Sequence, residues 1–354
     1  MKSVFIISPA LTMGGMQRAS LNLAEGLASK GYEVFYITIL NKEHFFYPTS
    51  AIKVIEPEGF NSNSISFSKT INWLRILVKK FKPDKTIVFN KIYGSFLAFA
   101  FLGTNFKYIL SERSSPMYKW PLKFEILCKI AFALNPPEAV ISQTQMASEM
   151  QRRYYPSNTK IKVIPNVLRK VKLFPENNRE KIILGFGRLS EHQKGFDLLI
   201  KSYALCQNKD WKLVLIGSEN GAEHLFNLAS KLNLRDRVVF KASLLQVDEE
   251  LSRAGIFVIP SRSEGFPNAL IEAMAAGLPC VSFKFVAGPE DIIEDGVNGL
   301  LVENGNVEKM AQTIDELIEN SELRIRISSN GILSTKKFEV ESIIVEYENF
   351  LFQS

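Results

Sequence analysis

Two cations share one short stretch of this 354-residue chain, where Gly185-Phe186-Gly187-Arg188 is followed by Lys194-Gly195. Arginine offers a planar fork and lysine a compact point charge, so the two together could clamp a diphosphate. A solvated loop would hold the same residues. The intervening Glu191-His192-Gln193 reads as polar and exposed, which makes His192 a surface residue rather than a base. A second group runs Ser263-Glu264-Gly265-Phe266-Pro267-Asn268-Ala269-Leu270-Ile271-Glu272. Asn268 reads as the N-cap of a helix that Gly277 stops and Pro279 seals, with Glu264 in the loop before it and Glu272 near its first full turn. Carboxylates there can accept hydrogen bonds from sugar and ribose hydroxyls while helix amides meet phosphate. Acids near a helix start also complement its dipole, which accounts for Glu272 but not for Glu264 between a strand end and Gly-Phe-Pro. The third group, Met13-Gly14-Gly15-Met16, would let a ligand approach the backbone at a helix start. It is not a GxGxxG pattern, no acid closes the following strand as a dinucleotide ribose requires, and a tight turn explains it equally.

Short apolar runs alternate with helical segments on either side of these groups. In the first half Val4–Ile7, Glu33–Leu40, Thr86–Phe89, Tyr108–Leu110 and Ala139–Ile141 read as strands, with a helix from about Met16 to Lys30 that Gly31 stops. Arg169–Lys181 holds a proline, two adjacent asparagines and little periodicity, and reads as a linker. The alternation then restarts. Ile182–Phe186, Lys212–Ile216, Val238–Phe240, Ile256–Ile259 and Cys280–Phe283 read as strands, with helices near 195–206, 223–232, 248–253, 268–276 and 307–320. Alternation of this kind predicts α/β architecture, two doubly wound domains with parallel sheets facing each other across a cleft. Ligands of such folds sit at the carboxyl ends of strands, where all three groups fall.

Composition narrows the classes. Hydrophobic residues make up 46% and charged residues 23%, which excludes a disordered chain. Three cysteines and three histidines, none at metal-ligand spacing, argue against a disulfide framework or a zinc site. The apolar run at Val4–Ile7 is shorter than a signal peptide requires and no window reaches bilayer-spanning length, so the expected location is cytoplasmic. Residues 1–174 carry 24 Lys and Arg against 10 Asp and Glu, a balance of +14, while the remainder carries 19 against 27, a balance of −8. A basic half implies an anionic partner: a phosphorylated substrate, an acidic membrane or nucleic acid. Nothing resembles a motif that reads RNA or DNA. Lys79, Lys80, Lys82 and Lys85, then the stretch Arg113–Phe124, mix cations with aromatics and could lie at the inner face of an anionic membrane. Packing of Trp120, Phe124 and Leu127 into a core with the lysines solvated is the competing reading.

Taken in order, Gly14-Gly15, Gly187-Arg188 with Lys194-Gly195, Glu264 and Glu272 with seven residues between, and Ala287-Gly288-Pro289-Glu290-Asp291 leading to Asp295-Gly296-Val297-Asn298-Gly299-Leu300 resemble a retaining family 4 glycosyltransferase of the GT-B fold, of the kind that builds bacterial surface polysaccharides. The likeness spans nearly the whole chain. It implies an acceptor-side domain over 1–168, a linker at 169–181, a nucleotide-sugar domain over 182–335, and a final stretch, 336–354, that returns to the first domain. It also implies that Arg188 and Lys194 bind the diphosphate of a nucleotide sugar, a UDP-sugar, and that Glu264 contacts the transferred sugar and Glu272 the ribose. The backbone of Phe266, Pro267, Asn268, Ala269 and Leu270 would support sugar and phosphate, and Gly14 and Gly15 would join them in binding the nucleotide sugar. Many relatives carry a histidine where this chain has Ser111-Glu112-Arg113, so Glu112 and Arg113 take that place among the catalytic candidates. Relatives often have glycine after Asn166, where Val167 stands, which leaves Asn166 on the hinge side. The expected reaction moves a hexosyl unit to a hydroxyl of a glycan or lipid-linked acceptor. No cofactor is implied, and without an Asp-x-Asp pair no obligatory metal. A nucleotide-sugar epimerase on the same scaffold and a non-catalytic sugar-binding protein are the alternatives.

Overall fold

The computed structural model describes residues 1–353 apart from Met13, 59–65, 175–178, Glu219, Ser243, Leu245 and Gln246. Met13 of the first turn motif and residues 175–178 of the expected linker therefore lie outside the described residues. The chain divides into two compact units, Met1–Val167 with Val340–Ser354, and Leu168–Glu339.

In the first unit the order is β1 (Ser3–Ser8), α1 (Gly15–Ser29), β2 (Glu33–Thr38), β3 (Ile52–Ile55), α2 (Phe67–Phe81), β4 (Lys85–Phe89), α3 (Lys91–Phe101), β5 (Ile109–Ser111), α4 (Leu122–Leu134), β6 (Ala139–Ser142), α5 (Gln145–Gln151) and β7 (Lys160–Val163). The seven strands form one sheet in the order β3-β2-β1-β4-β5-β6-β7, and every pair is parallel. Strands such as β1 and β6 are buried along their whole length, because helices cover both faces and each strand must be apolar on both. Strand order reverses direction between β1 and β4, a crevice for ligands in doubly wound sheets.

The second unit runs β8 (Ile182–Phe186), α6 (Phe196–Leu205), β9 (Lys212–Ile216), α7 (Glu223–Lys231), β10 (Val238–Lys241), α8 (Asp248–Arg253), β11 (Ile256–Ile259), α9 (Asn268–Ala275), β12 (Cys280–Lys284), β13 (Leu300–Glu303), α10 (Val307–Glu319) and α11 (Ser321–Thr335). Its six parallel strands lie in the order β10-β9-β8-β11-β12-β13, with the reversal between β8 and β11. Three strands escaped the sequence reading. Each is short, four residues, and β3 and β7 lie at the edges of their sheet with exposed lysines, which hides their apolar pattern.

The described residues of the expected linker, 169–174 and 179–181, belong to the second unit rather than standing between the two. Arg179 ties them in, donating to the carbonyls of Leu251 and Ala254 at 2.8 and 2.9 Å and to that of Ala276 at 2.7 Å. The last helix, α12 (Val340–Phe352), belongs to the first unit, where Ile343, Ile344, Tyr347 and Leu351 are buried against α1. Gly26 makes that contact close: a Cβ there would lie 2.4 Å from Cδ1 of Ile344. Residues 336–339 stay with the second unit, so the crossing falls at Val340 rather than at 336.

Candidate active site

Because β8 and β11 are neighbours in the second sheet, the loops that leave their carboxyl ends lie side by side. The first carries Arg188 and Lys194, the second Glu264. Gly195 permits the approach, since it adopts φ +67° and a Cβ on it would stand 1.9 Å from the Pro260 carbonyl oxygen. Only glycine fits there. Arg262 then staples the loops: its amide donates to Gln193 O at 2.8 Å, and its guanidinium reaches His192 O at 2.7 Å and both Asp197 oxygens at 2.7 and 2.8 Å. Sequence reasoning passed over Arg262, because nothing along the chain says that it faces Asp197 on α6.

The staple brings two candidates into contact. Lys194 Nζ donates to Glu264 Oε1 at 2.7 Å and Oε2 at 2.9 Å, and the Ser261 hydroxyl donates to Oε1 at 2.7 Å. The side chains keep 19% and 11% of their surface, so they are sheltered but reachable. Arg188 is 71% exposed and pairs with Glu191 at 2.7 Å within its own loop. It is therefore free to change partner at little cost, as exposed ion pairs contribute little.

Helix α9 begins at Asn268 with Pro267 as its N-cap, one residue earlier than expected, and no side chain caps it. Phe266 and Leu270 turn their side chains into the core of the second unit and are buried there, at 6% and 0% exposure. The Asn268 amide donates to Phe266 O and the Leu270 amide to Pro267 O, both at 3.0 Å, which orders the turn. An isolated bridge between Ser263 and Val286 lays the loop after β12 beside this one. In that loop Ala287 takes φ +62°, a strained value for a residue with a Cβ. Further on, Asp295 Oδ1 accepts from the Leu301 amide at 2.8 Å, and Asn298 Oδ1 from the Glu294 amide at 2.8 Å. Those two residues build the turn into β13.

Glu272, one turn into α9, is held by a residue that the sequence reading did not single out. Arg169 Nε donates to Glu272 Oε2 at 2.8 Å, while its Nη1 spans both Asp248 oxygens at 3.1 and 2.9 Å. Burial disfavours the guanidinium charge, yet Glu272 and Asp248 outweigh it and hold its pKa above the ordinary value. Nη2 of Arg169 is buried with no hydrogen-bond partner.

In the first unit, Gly14 precedes α1 without a side-chain cap bond, in extended backbone. Glu112 and Arg113, after β5, are both buried. Glu112 accepts from the Lys91 amide at the start of α3 at 3.0 Å and from the Ser114 amide at 2.9 Å. Burial pushes its pKa up, against the pull of those amides. Arg113 donates to Ser111 Oγ at 2.7 Å, to Asn166 Oδ1 at 2.7 Å, to Ile164 O at 3.3 Å and to the Tyr347 hydroxyl. Its charge is disfavoured by burial and supported by Tyr347 and Glu112. Trp120 and Phe124 pack against the core of this unit.

The chain whose described residues form these 13 strands and loops has relatives. The family model "Glycosyl transferases group 1" matches residues 169–333 and "Glycosyltransferase Family 4" matches 13–168. A Haemophilus influenzae protein described as an uncharacterized glycosyltransferase is 33% identical over 98% of this chain and 99% of its own length. The chain belongs to the family 4 glycosyltransferases. Another relative of this glycosyltransferase, from Campylobacter jejuni, is an alpha-1,4-N-acetyl-D-galactosaminyltransferase acting on an undecaprenol-linked acceptor; it is 25% identical over 98% of this chain and 97% of its own. The fold of the glycosyltransferase matches that of Anabaena HepE, solved with UDP and glucose, at a TM-score of 0.81 and 17% identity over the full length of both chains. Its two parallel-sheet units are those of the GT-B fold. Among the described residues no helix is long and apolar enough to cross a membrane.

Proposed function

We propose that this glycosyltransferase moves a hexosyl unit from a UDP-sugar to a hydroxyl of a lipid-linked glycan, with retention at the anomeric carbon and without an obligatory metal, at the inner face of an anionic membrane. The observation that carries the reading is the Lys194–Glu264 pair at the reversal point of the second sheet, with Arg188 on the same loop as Lys194. Before the donor arrives the pair is neutral and self-satisfied. A diphosphate would draw Lys194 Nζ to its oxygens, and Glu264 would then accept from hydroxyls of the sugar. Arg188 would leave Glu191 to grip the diphosphate as a fork.

In the reaction the bond from C1 to the phosphate oxygen breaks and a bond from C1 to the acceptor oxygen forms on the same face. The acceptor proton passes to the departing phosphate oxygen. Negative charge grows on the diphosphate as the bond breaks, and cations already in place stabilise it without reorganisation. Glu272 accepts from the ribose. Glu112 and Arg113 hold the carboxyl edge of the first sheet in shape, and Gly14 and Gly15 open the start of α1 to the acceptor. The HepE complex supports a uridine donor, and the Campylobacter relative supports a lipid-linked acceptor.

Incubation with a panel of UDP-hexoses, with and without a polyprenyl-diphosphate oligosaccharide and in EDTA, tests the reading. Acceptor-dependent UDP release, unchanged by EDTA, with the donor's anomeric configuration in the product is expected. Acceptor-free interconversion of the sugar would mark an epimerase, and an inverted product would overturn retention.

A further inference from the structure

Helix α4 is apolar on both sides, but only one side has a partner. Cys128, Ala131 and Phe132 are buried in the core of the first unit. Leu122, Ile126, Ile130 and Leu134 are 74, 48, 50 and 56% exposed. They recur every four residues, so they stand one above another along a single stripe. Met117 and Tyr118, in the turn that leads into the helix, add two more exposed apolar side chains at 50 and 47%. A helix with a second apolar row turned outward suits an apolar medium, and four large apolar side chains in one row, with two more just before the helix, exceed the scattered exposure of an ordinary surface.

Charge identifies the medium. Lys119, Lys123 and Lys129 are exposed beside the stripe. The one acid of the helix, Glu125, is already taken by Lys91 at 2.8 Å, so nothing in α4 offsets the three cations. A second copy of this chain docked on the same stripe by twofold symmetry would set these lysines against each other. A bilayer whose headgroups carry negative charge meets both features at once: acyl chains take the stripe and phosphates take the lysines.

We propose that the outward face of α4, with the turn at Met117–Lys119, is the surface by which this protein docks on anionic membrane. The inference rests on the lipid-linked acceptor read above and goes further by naming the face. It also differs from what composition suggested, since Trp120 and Phe124 pack against the core and different residues meet the lipid.

Flotation with vesicles of phosphatidylglycerol and phosphatidylcholine, against phosphatidylcholine alone, tests it. The wild-type protein is expected to bind the anionic vesicles at least tenfold better than the neutral ones, and to weaken as salt rises. Ile126→Asp with Ile130→Asp changes two half-exposed positions outside the core. This variant should lose at least tenfold in binding while its circular dichroism and its rate of UDP release with a short, water-soluble acceptor stay within twofold of wild type. Lys119→Gln, Lys123→Gln and Lys129→Gln together should remove the preference for anionic lipid. Undiminished vesicle binding by the double variant overturns the assignment of this face, and so does a wild-type dimer that the double variant splits. Absence of wild-type binding together with brisk transfer to the soluble acceptor overturns docking and leaves the transferase reading standing. Binding through α4 with no transfer to any acceptor upholds the docking face and overturns that reading.

Discussion

At the carboxyl edge of the first sheet Glu112 and Arg113 are 4 and 7% exposed and spend their polar atoms on Lys91, Ser114, Ser111, Asn166 and Tyr347. At the same edge of the second sheet Arg188 is largely in solvent and Lys194 and Glu264 answer chiefly to each other. Both edges bear opposite charges on loops after parallel strands, yet the bonds differ in kind. A buried ion with several fixed partners cannot exchange them without stranding buried donors or acceptors. A sheltered pair of two long side chains can exchange one partner for a ligand. Charge at a strand end is therefore open to a ligand only where its partners are replaceable.

Replacement of Arg113 should give the largest effect. Arg113→Ala strips a buried donor from Ile164 O, Asn166 and Tyr347, and should lower stability by about 3 kcal/mol or more in urea unfolding. Activity per folded molecule should hold. A fully stable Arg113→Ala protein with no activity would return Arg113 to the catalytic group and dissolve the contrast. Tyr347→Phe, which removes one of those partners, should cost about 1 kcal/mol.

Lys194→Ala should come next, with turnover reduced about 100-fold, the range for removing one preorganised group from developing charge. Circular dichroism and unfolding midpoint should stay near wild type, because the Ser261 hydroxyl and water still serve Glu264. Turnover within threefold of wild type at subsaturating donor would show that the pair is merely structural. Arg188→Ala should raise the donor concentration needed by about tenfold, the value of a single charge-assisted contact of roughly 1.5 kcal/mol. The free protein should be no less stable.

Arg169→Ala should have the smallest effect, about fivefold on the KM for donor with little change in kcat, through the loss of one fixed orientation of Glu272. Arg169→Lys should restore part of it, since an ammonium reaches one carboxylate where the guanidinium spans two. Equal losses in kcat and kcat/KM would instead place Arg169 at the reacting atoms.

The local sequence determined ten of the 13 described strands, about half of the helices and the loops that hold charge, because strand runs, helix starts and glycine turns are written within a few residues of one another. The placement of Arg188, Lys194 and Glu264 on loops after strands, and of Glu272 on a helix, was legible in that way. What lay beyond it was the order of the strands. Only the placement of β8 against β11 sets Lys194 on Glu264, 70 residues apart along the chain. The roles of Arg262 and Arg169 depend equally on distant partners, Asp197 for one and Asp248 with Glu272 for the other. Burial was decided at the same level. Ser111-Glu112-Arg113 reads as polar in sequence, yet α3, Asn166 and α12 close over it. Helix α4 shows the converse: its sequence puts apolar residues on two opposite sides, so periodicity could not say which side faces out, and packing alone left Leu122, Ile126, Ile130 and Leu134 in solvent. Periodicity reports whether a segment has an apolar face, whereas the partner of that face is set by sheet order and by contacts between residues far apart in the chain.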